Sequence, residues 1–321
     1  MTIPGTGKRF ERAVVTGGAG FVGAHLCALL LAEGIEVVAV DNLATSTAAA
    51  VEELRHHNGF RFARHDVTRP IPLDGHVDVV FHLASAASPR DYLNLPIETL
   101  RAGSHGTEHA LDLARRDGAR FVLASTSEVY GDPLEHPQRE GYWGNVNPIG
   151  PRSVYDEAKR YAEALTAAHR RVHGADTAIA RIFNTYGPGM RAGDGRMIPA
   201  FLHQALANEP ITVTGTGTQT RSICYVEDTV RGLLALARSD HPGPVNIGNP
   251  HELTVRQVAE KIRDLTGSAS PIDHVDAVVD DPRRRCPDIT LAREVLGWEP
   301  KIDTDDGLRR TAAWFRRAPL R

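Results

Sequence analysis

Residues 13–23 read Ala-Val-Val-Thr-Gly-Gly-Ala-Gly-Phe-Val-Gly, and an apolar stretch follows to about Glu33. A short apolar run, closely spaced glycines and then an apolar helical segment predict a buried strand, a tight turn and a helix. Counted from Gly18 the glycines spell G-x-G-x-x-G, and counted from Gly17 they spell G-x-x-G-x-x-G. Glycine is needed where the backbone turns tightly and where a pyrophosphate must approach it closely. A helix N-terminus at that point presents free N–H groups to the anion. The candidate cradle is Gly17, Gly20, Phe21, Val22 and Gly23. A second strand, Ile35 to Val40, leads to Asp41 and Asn42. Asp41 lies 18 residues past Gly23, where a carboxylate is placed to accept ribose hydroxyls. That charge would repel a 2′-phosphate, so NAD is expected in preference to NADP.

The alternation continues along the chain. Arg61 to Ala63 is a third strand leading to Asp66 and Val67, with Asp66 placed for the adenine amino group. Val77 to His82 is a fourth strand, followed by Leu83, Ala84 and Ser85 at the same end of the sheet. A long helical segment spans about Pro96 to Asp117, and Arg120 to Ser125 is a fifth strand. Strands separated by helices define an α/β fold, a doubly wound parallel sheet with ligands at the carboxyl ends of the strands. After a sixth strand, Thr177 to Phe183, the periodicity weakens, as expected for a smaller, interleaved C-terminal substrate domain. The division expected is 1–184 plus about 222–249 for the dinucleotide and about 185–221 plus 250–321 for a second ligand.

Composition removes whole classes. At 321 residues, 41% apolar, 24% charged and net charge −3, the chain is an ordinary globular protein with no basic surplus for nucleic acid. No apolar run approaches the ~18 residues of a membrane span. Residues 1–12 lack the apolar region of a secretory leader. Cys27, Cys224 and Cys286 form neither a disulfide framework nor a zinc pattern, so a reducing, cytoplasmic setting is the default. His105 and His109 have metal-ligand spacing, but no third ligand accompanies them, and a solvated or interface role is expected instead.

The chemistry concentrates in two places. Tyr155 and Lys159 sit four apart in an uninterrupted helical stretch, so they share one face. An ammonium beside a phenol favours the phenolate, which can then take a proton from a substrate hydroxyl. By itself such a pair is more often a solvated helix face. The fifth strand ends in Thr126, Ser127 and Glu128, the position where a doubly wound sheet sets its active residues. By itself Glu128 would more often be a carboxylate satisfied by backbone N–H groups at a strand end.

Taken together, Gly17 to Gly23, Thr126 and Tyr155-x-x-x-Lys159 resemble the extended short-chain dehydrogenase/reductases that act on nucleotide sugars. Within that group the runs 126–133, 136–138, 142–152, 155–157, 181–188, 219–222 and 285–289 are similar to the UDP-glucuronic acid decarboxylases, also called UDP-xylose synthases. The resemblance covers roughly Arg12 to Leu308, and the motif at 142–152 is its most specific part. It implies NAD-dependent oxidation of C4 of UDP-glucuronate, with Tyr155 as base, Thr126 on the same hydroxyl, and Lys159 lowering the phenol pKa and binding the nicotinamide ribose. Loss of CO2 from the 4-keto acid, protonation at C5 through Glu128, and return of hydride would give UDP-xylose. Arg285 would face the sugar carboxylate, while Ser127, Asn184, Gln219 and Arg221 would contact the UDP-sugar. It further implies a homodimer packed through helices at about 96–117 and 153–173.

Two departures stand out. Relatives usually read Gly-Pro-Arg-Met after the sixth strand, whereas this chain reads Gly187-Pro188-Gly189-Met190-Arg191, so Arg191 is the candidate replacement. The loop from Ala44 to Ala50 lacks the usual basic residues. The nearest alternative function is a UDP-glucuronic acid 4-epimerase. A sugar 4,6-dehydratase is disfavoured because Ser127 stands where its acid would be, and a non-catalytic NAD sensor because Thr126, Tyr155 and Lys159 are all retained.

Overall fold

The computed structural model describes residues 7–193, 195–276 and 283–317. The start of the N-terminal stretch and small parts of the C-terminal portion fall outside them. Strands β1 (Arg12–Thr16), β2 (Glu36–Asp41), β3 (Phe60–Arg64), β4 (Val79–His82), β5 (Arg120–Thr126) and β6 (Thr177–Ile182) join the strand Val245–Ile247 in one seven-stranded sheet. Every pairing in it is parallel. From one edge the order is Val245–Ile247, β6, β5, β4, β1, β2, β3. The chain reverses its direction of winding between β1 and β4, which opens a crevice at their carboxyl ends. Thr16, Asp41, His82 and Thr126 all end their strands there.

The apolar runs are continuous because both faces of the sheet are covered. Period two divides each strand. Ala13, Val15, Val37, Ala39, Phe81 and Val122 pack on one side with Leu26 and Leu30 of α1 (Phe21–Ala32). Val14, Val38, Val40, Val80, Phe121 and Leu123 pack on the other with Ala110, Leu111 and Ala114.

Boundaries shift by one to three residues from those expected, in the manner usual for frayed ends. The expected long helix is present but not uniform. After a short α2 (Pro89–Asn94), α3 (Pro96–Arg101) passes through a π-helical stretch, Ala102–Gly106, into α4 (Thr107–Asp117). A Cβ at Gly103 would lie 2.7 Å from the Ala158 Cβ, so the π stretch is where this helix meets α5 (Ser153–His173) most closely. Gly174, left-handed at φ +63°, terminates α5 as its sequence position suggests.

Beyond β6 the chain builds helices α6 (Met197–Ala207), α7 (Val226–Arg238), α8 (Val255–Thr266), α9 (Thr290–Leu296) and α10 (Thr304–Arg317). Three two-stranded pairings fill the gaps: Thr185–Tyr186 with Cys224–Tyr225, Ile211–Thr214 with Ile272–Val275, and Thr220–Ser222 with Glu252–Thr254. One apolar cluster runs from Ala13 and Leu26 through Phe201, Ile211 and Val258 to Phe315. These late segments are therefore packed onto the sheet's own core and hold one wall of the crevice.

Candidate active site

A cleft of about 1170 Å³ opens at the carboxyl ends of the strands. Its glycine turn is built by exclusion. Gly17 has φ +70°, and a Cβ there would sit 2.9 Å from the Ala84 backbone nitrogen. A Cβ at Gly23 would sit 2.1 Å from the Gly17 carbonyl oxygen. Gly20 caps α1 with no side-chain hydrogen bond, so the first N–H groups of the helix face the cleft uncompensated. Asp41 Oδ2 accepts from Ala19 N at 3.0 Å, and Oδ1 accepts from Leu43 N at 2.8 Å and Ser46 Oγ at 2.9 Å. This carboxylate thus ties the 42–46 loop to the glycine turn without any basic residue. Asp66 accepts from Asn42 Nδ2 and from the backbone and hydroxyl of Thr68; burial pushes its carboxyl up, but these bonds hold it below the usual range. Ser85 Oγ lines the same cleft, buried and without a partner.

Thr126 ends β5, and its Oγ1 accepts from Glu128 N at 3.2 Å, which curls Ser127–Tyr130 into one 3₁₀ turn. Tyr155, in the first turn of α5, is 8% exposed and lies within hydrogen-bonding reach of the Thr126 hydroxyl. Tyr92 of α2 stacks on its ring, centroids 5.5 Å apart and planes 9° apart. Burial pushes the Tyr155 phenol well above its ordinary value, and a hydrogen bond with Thr126 pulls it down. Lys159 Nζ lies 5.9 Å from the ring centroid and donates to the Ala124 carbonyl at 2.8 Å. Burial brings its own pKa down to about 8, against the pull of Glu163.

Glu128 sits between two arginines. The forked guanidinium of Arg285 donates to both of its oxygens, at 2.5 and 2.8 Å, and Arg152 donates to Oε2 at 2.9 Å. Burial pushes the carboxyl up, yet the two guanidiniums outweigh it and hold it at about 2. Glu128 is therefore a carboxylate at neutral pH and not itself an acid. Arg285 reaches it from 157 residues away.

The remaining expected residues line the same cleft: Val67, Leu83, Ala84 and Asn42 on the β1–β4 side, and Ser127, Asn184, Gln219 and Arg221 on the other. Gln219 Nε2 donates to the Thr214 carbonyl at 2.8 Å, and buried Arg221 donates to the Thr220 carbonyl at 2.8 Å. Arg191 forms an ion pair with Asp91 of α2, and Arg90 donates to the Gly193 carbonyl at 2.7 Å. The loop after β6 is thereby fastened to α2 across the cleft mouth, and Gly189 at φ +87° takes a conformation the usual arginine would strain. Sequence reasoning did not single out Tyr92, Arg152 and Asp156. Arg152 and Asp156 stood inside quoted motifs, three residues before Tyr155 and one after it; nothing around Tyr92 distinguishes it from a core aromatic. Among the described residues no three His, Cys, Asp or Glu side chains are grouped to hold a metal ion.

Residues 13–248 match the NAD dependent epimerase/dehydratase family. The chain belongs to that family. Among its curated relatives, UDP-glucuronic acid decarboxylase 1 of Arabidopsis thaliana is 50% identical over 312 residues, covering 97% of this chain and 71% of the relative. UDP-glucuronic acid decarboxylase 5 of the same plant is 51% identical over 298 residues, covering 92% and 87%. Among solved structures, the epimerase Mth375 of Methanothermobacter thermautotrophicus superposes with a TM-score of 0.87 at 28% identity, over 96% of this chain and 92% of that one. The UDP-glucuronic acid 4-epimerase of Bacillus cereus, in complex with UDP-glucuronic acid and NAD, gives 0.83 at 25% identity, over 95% and 99%. For an epimerase/dehydratase the cofactor is NAD, and the residues present fit it. The glycine turn leaves no room for side chains where a pyrophosphate would lie, the α1 N–H groups face that place, and Ser85 Oγ has an unmet bond beside it.

Proposed function

We propose that this chain is an NAD-dependent UDP-glucuronic acid decarboxylase, forming UDP-xylose and CO2 through a 4-keto sugar. The observation that carries the reading is the Glu128–Arg285–Arg152 cluster, set beside Thr126 and Tyr155 in one cleft. Two guanidiniums there suit an acidic sugar over a neutral one, and decarboxylation over 4-epimerisation of that acid is favoured by the relatives. The curated relatives at about half identity carry the same activity in their names.

Bound NAD would supply the hydride-accepting and hydride-returning chemistry at the sugar carbon. Everything else falls to the chain. Gly17, Gly20, Gly23, Phe21 and Val22 would hold the pyrophosphate, Asp41 and Asn42 the adenosine ribose, and Asp66 the adenine. Tyr155 takes the C4 hydroxyl proton; Thr126 orients that hydroxyl and makes the phenolate less costly. Lys159, kept in place by the Ala124 carbonyl, supplies positive charge below the ring. Arg285 and Arg152 receive the sugar carboxylate. Glu128, ionised, aligns their guanidiniums and the water that protonates C5; the net reaction takes up one proton and releases CO2. Asn184, Gln219 and Arg221 serve the UDP moiety from the part of the chain spanning 185–221 and 250–321. Arg191 guards the mouth of the cleft and has its charge already engaged.

The working unit is a homodimer. Ile97 and Leu100 of α3 and Tyr161 of α5 are exposed apolar side chains on two helices that touch each other. All three cysteines are free and buried, in keeping with a cytoplasmic setting. No helix among the described residues is long and apolar enough to cross a membrane.

The test is product analysis after incubation with UDP-glucuronate and NAD. UDP-xylose with stoichiometric CO2 is expected. UDP-galacturonate without CO2 would replace the reading with a 4-epimerase, and binding of NAD with no turnover of any nucleotide sugar would replace it with a sensor.

A further inference from the structure

Next to the catalytic tyrosine stands a second buried carboxyl that the chemistry above leaves unused. Asp156 is 6% exposed, and its Oδ1 is sealed from solvent with no hydrogen-bond partner. It does not line the cleft. The charged and titratable groups around it are Glu128 of the 3₁₀ turn, Arg285 of the segment before α9, Arg152, Tyr155 and Glu157 of its own helix region, and Tyr92 of α2. Glu128 with Arg152 and Arg285 carries a net charge of +1 by simple count. An ionised Asp156 would bring that buried group to zero. An acidic sugar arriving on the two guanidiniums would then make it −1, in a place where uncompensated charge is costly. An anionic oxygen with no donor, as Oδ1 would be, adds to that cost.

We propose that Asp156 is a charge-balancing residue of the sugar-carboxylate site, taking up one proton when the acidic substrate binds and acting through Arg152 and Arg285. The inference rests on the UDP-glucuronate reading. Burial, and then the Glu128 charge, already raise this carboxyl to about 7, against the opposing pull of Arg152 and Arg285. An added substrate carboxylate raises it further. The sign follows directly. Below about pH 7 Asp156 is already neutral and binding takes up little; above it, each substrate molecule bound brings in a proton, and affinity weakens by about tenfold per pH unit until the bound form also titrates.

The experiment is calorimetric titration at pH 8, in buffers of differing ionisation enthalpy, of NAD-loaded Tyr155→Phe enzyme, in which the C4 proton is not taken and turnover, which itself consumes a proton, does not contribute. In this background we expect uptake approaching one proton with UDP-glucuronate and close to none with UDP-xylose, which has no carboxylate. Adding Asp156→Asn should abolish the uptake and flatten the pH dependence of UDP-glucuronate affinity between pH 6.5 and 8.5, leaving that for UDP-xylose unmoved. UDP-glucuronate binding without proton uptake in Y155F, or an unchanged pH profile on adding D156N, overturns the proposal. The Y155F measurement stands even if the double variant does not fold. Absence of UDP-glucuronate binding altogether would instead overturn the functional reading on which it rests.

Discussion

Glu128 shows how far a residue's chemistry depends on its neighbours. Its pKa falls from an ordinary 4.5 to about 2 because Arg285 and Arg152 outweigh the penalty of burial. A carboxylate depressed on folding stabilises the fold fully above its unfolded pKa and loses that contribution as the pH drops through the folded one. The window here is about pH 4.5 down to 2, and the contribution is up to about 3 kcal/mol. Glu128→Gln is expected to lose about that much at pH 7, because two buried guanidiniums lose the carboxylate they share. Its stability, followed by urea unfolding, should then vary less between pH 5 and 3 than that of the wild type. Equal pH slopes for the two proteins would mean that Glu128 is not ionised in the native cluster. Tyr155 depends on its neighbours as well: Lys159 lies over its ring and donates to the Ala124 carbonyl, while a hydrogen bond with Thr126 favours the phenolate.

At the scale of elements, the glycine turn and the first helix behave as one part. Gly23 is not replaceable by reason of space: its absent Cβ would stand 2.1 Å from the Gly17 carbonyl, a rigid backbone atom. Gly23→Ala should displace the turn, cost about 1–3 kcal/mol as over-packing does, and weaken NAD binding at least about tenfold, as read by NAD titration and thermal melting. Gly141→Ala is the matching control, because a Cβ there meets nothing within 4 Å. Retained NAD affinity in G23A would show that the turn can relax without losing its anion site. The π stretch at Ala102–Gly106 makes the complementary point: its small residues let α5 approach until Gly103 meets Ala158, one turn along the helix from Tyr155.

For the whole molecule, the decisive link is between segments far apart in sequence. Gln138, wholly buried, donates its N–H to the Cys286 carbonyl and accepts the Cys286 N–H on Oε1, both at 2.8 Å, while Asp288 N donates to the Gln138 carbonyl. This clamp sets the backbone beside Arg285 and hence its fork on Glu128. Gln138→Ala should cost about 1–3 kcal/mol through unsatisfied buried groups and weaken UDP-glucuronate binding, while NAD affinity stays as in the wild type. Calorimetry with each ligand separately checks this; a parallel loss of both affinities would mean that the clamp supports the whole fold and not the sugar site.

Local order and chemistry were legible from the chain alone. Alternating apolar runs and breakers determined a doubly wound parallel sheet, glycines at 17, 20 and 23 determined where the dinucleotide turn lies, and spacing placed Tyr155 and Lys159 on one helix, because each of these depends on residues only a few positions apart. Only the tertiary structure decided that Glu128 is an anion, that Arg191 is held by Asp91, and that Asp156 is buried with an unpartnered oxygen. Each of those outcomes is set by charges and burial contributed from distant segments, and an electrostatic environment has no periodicity that a sequence can display.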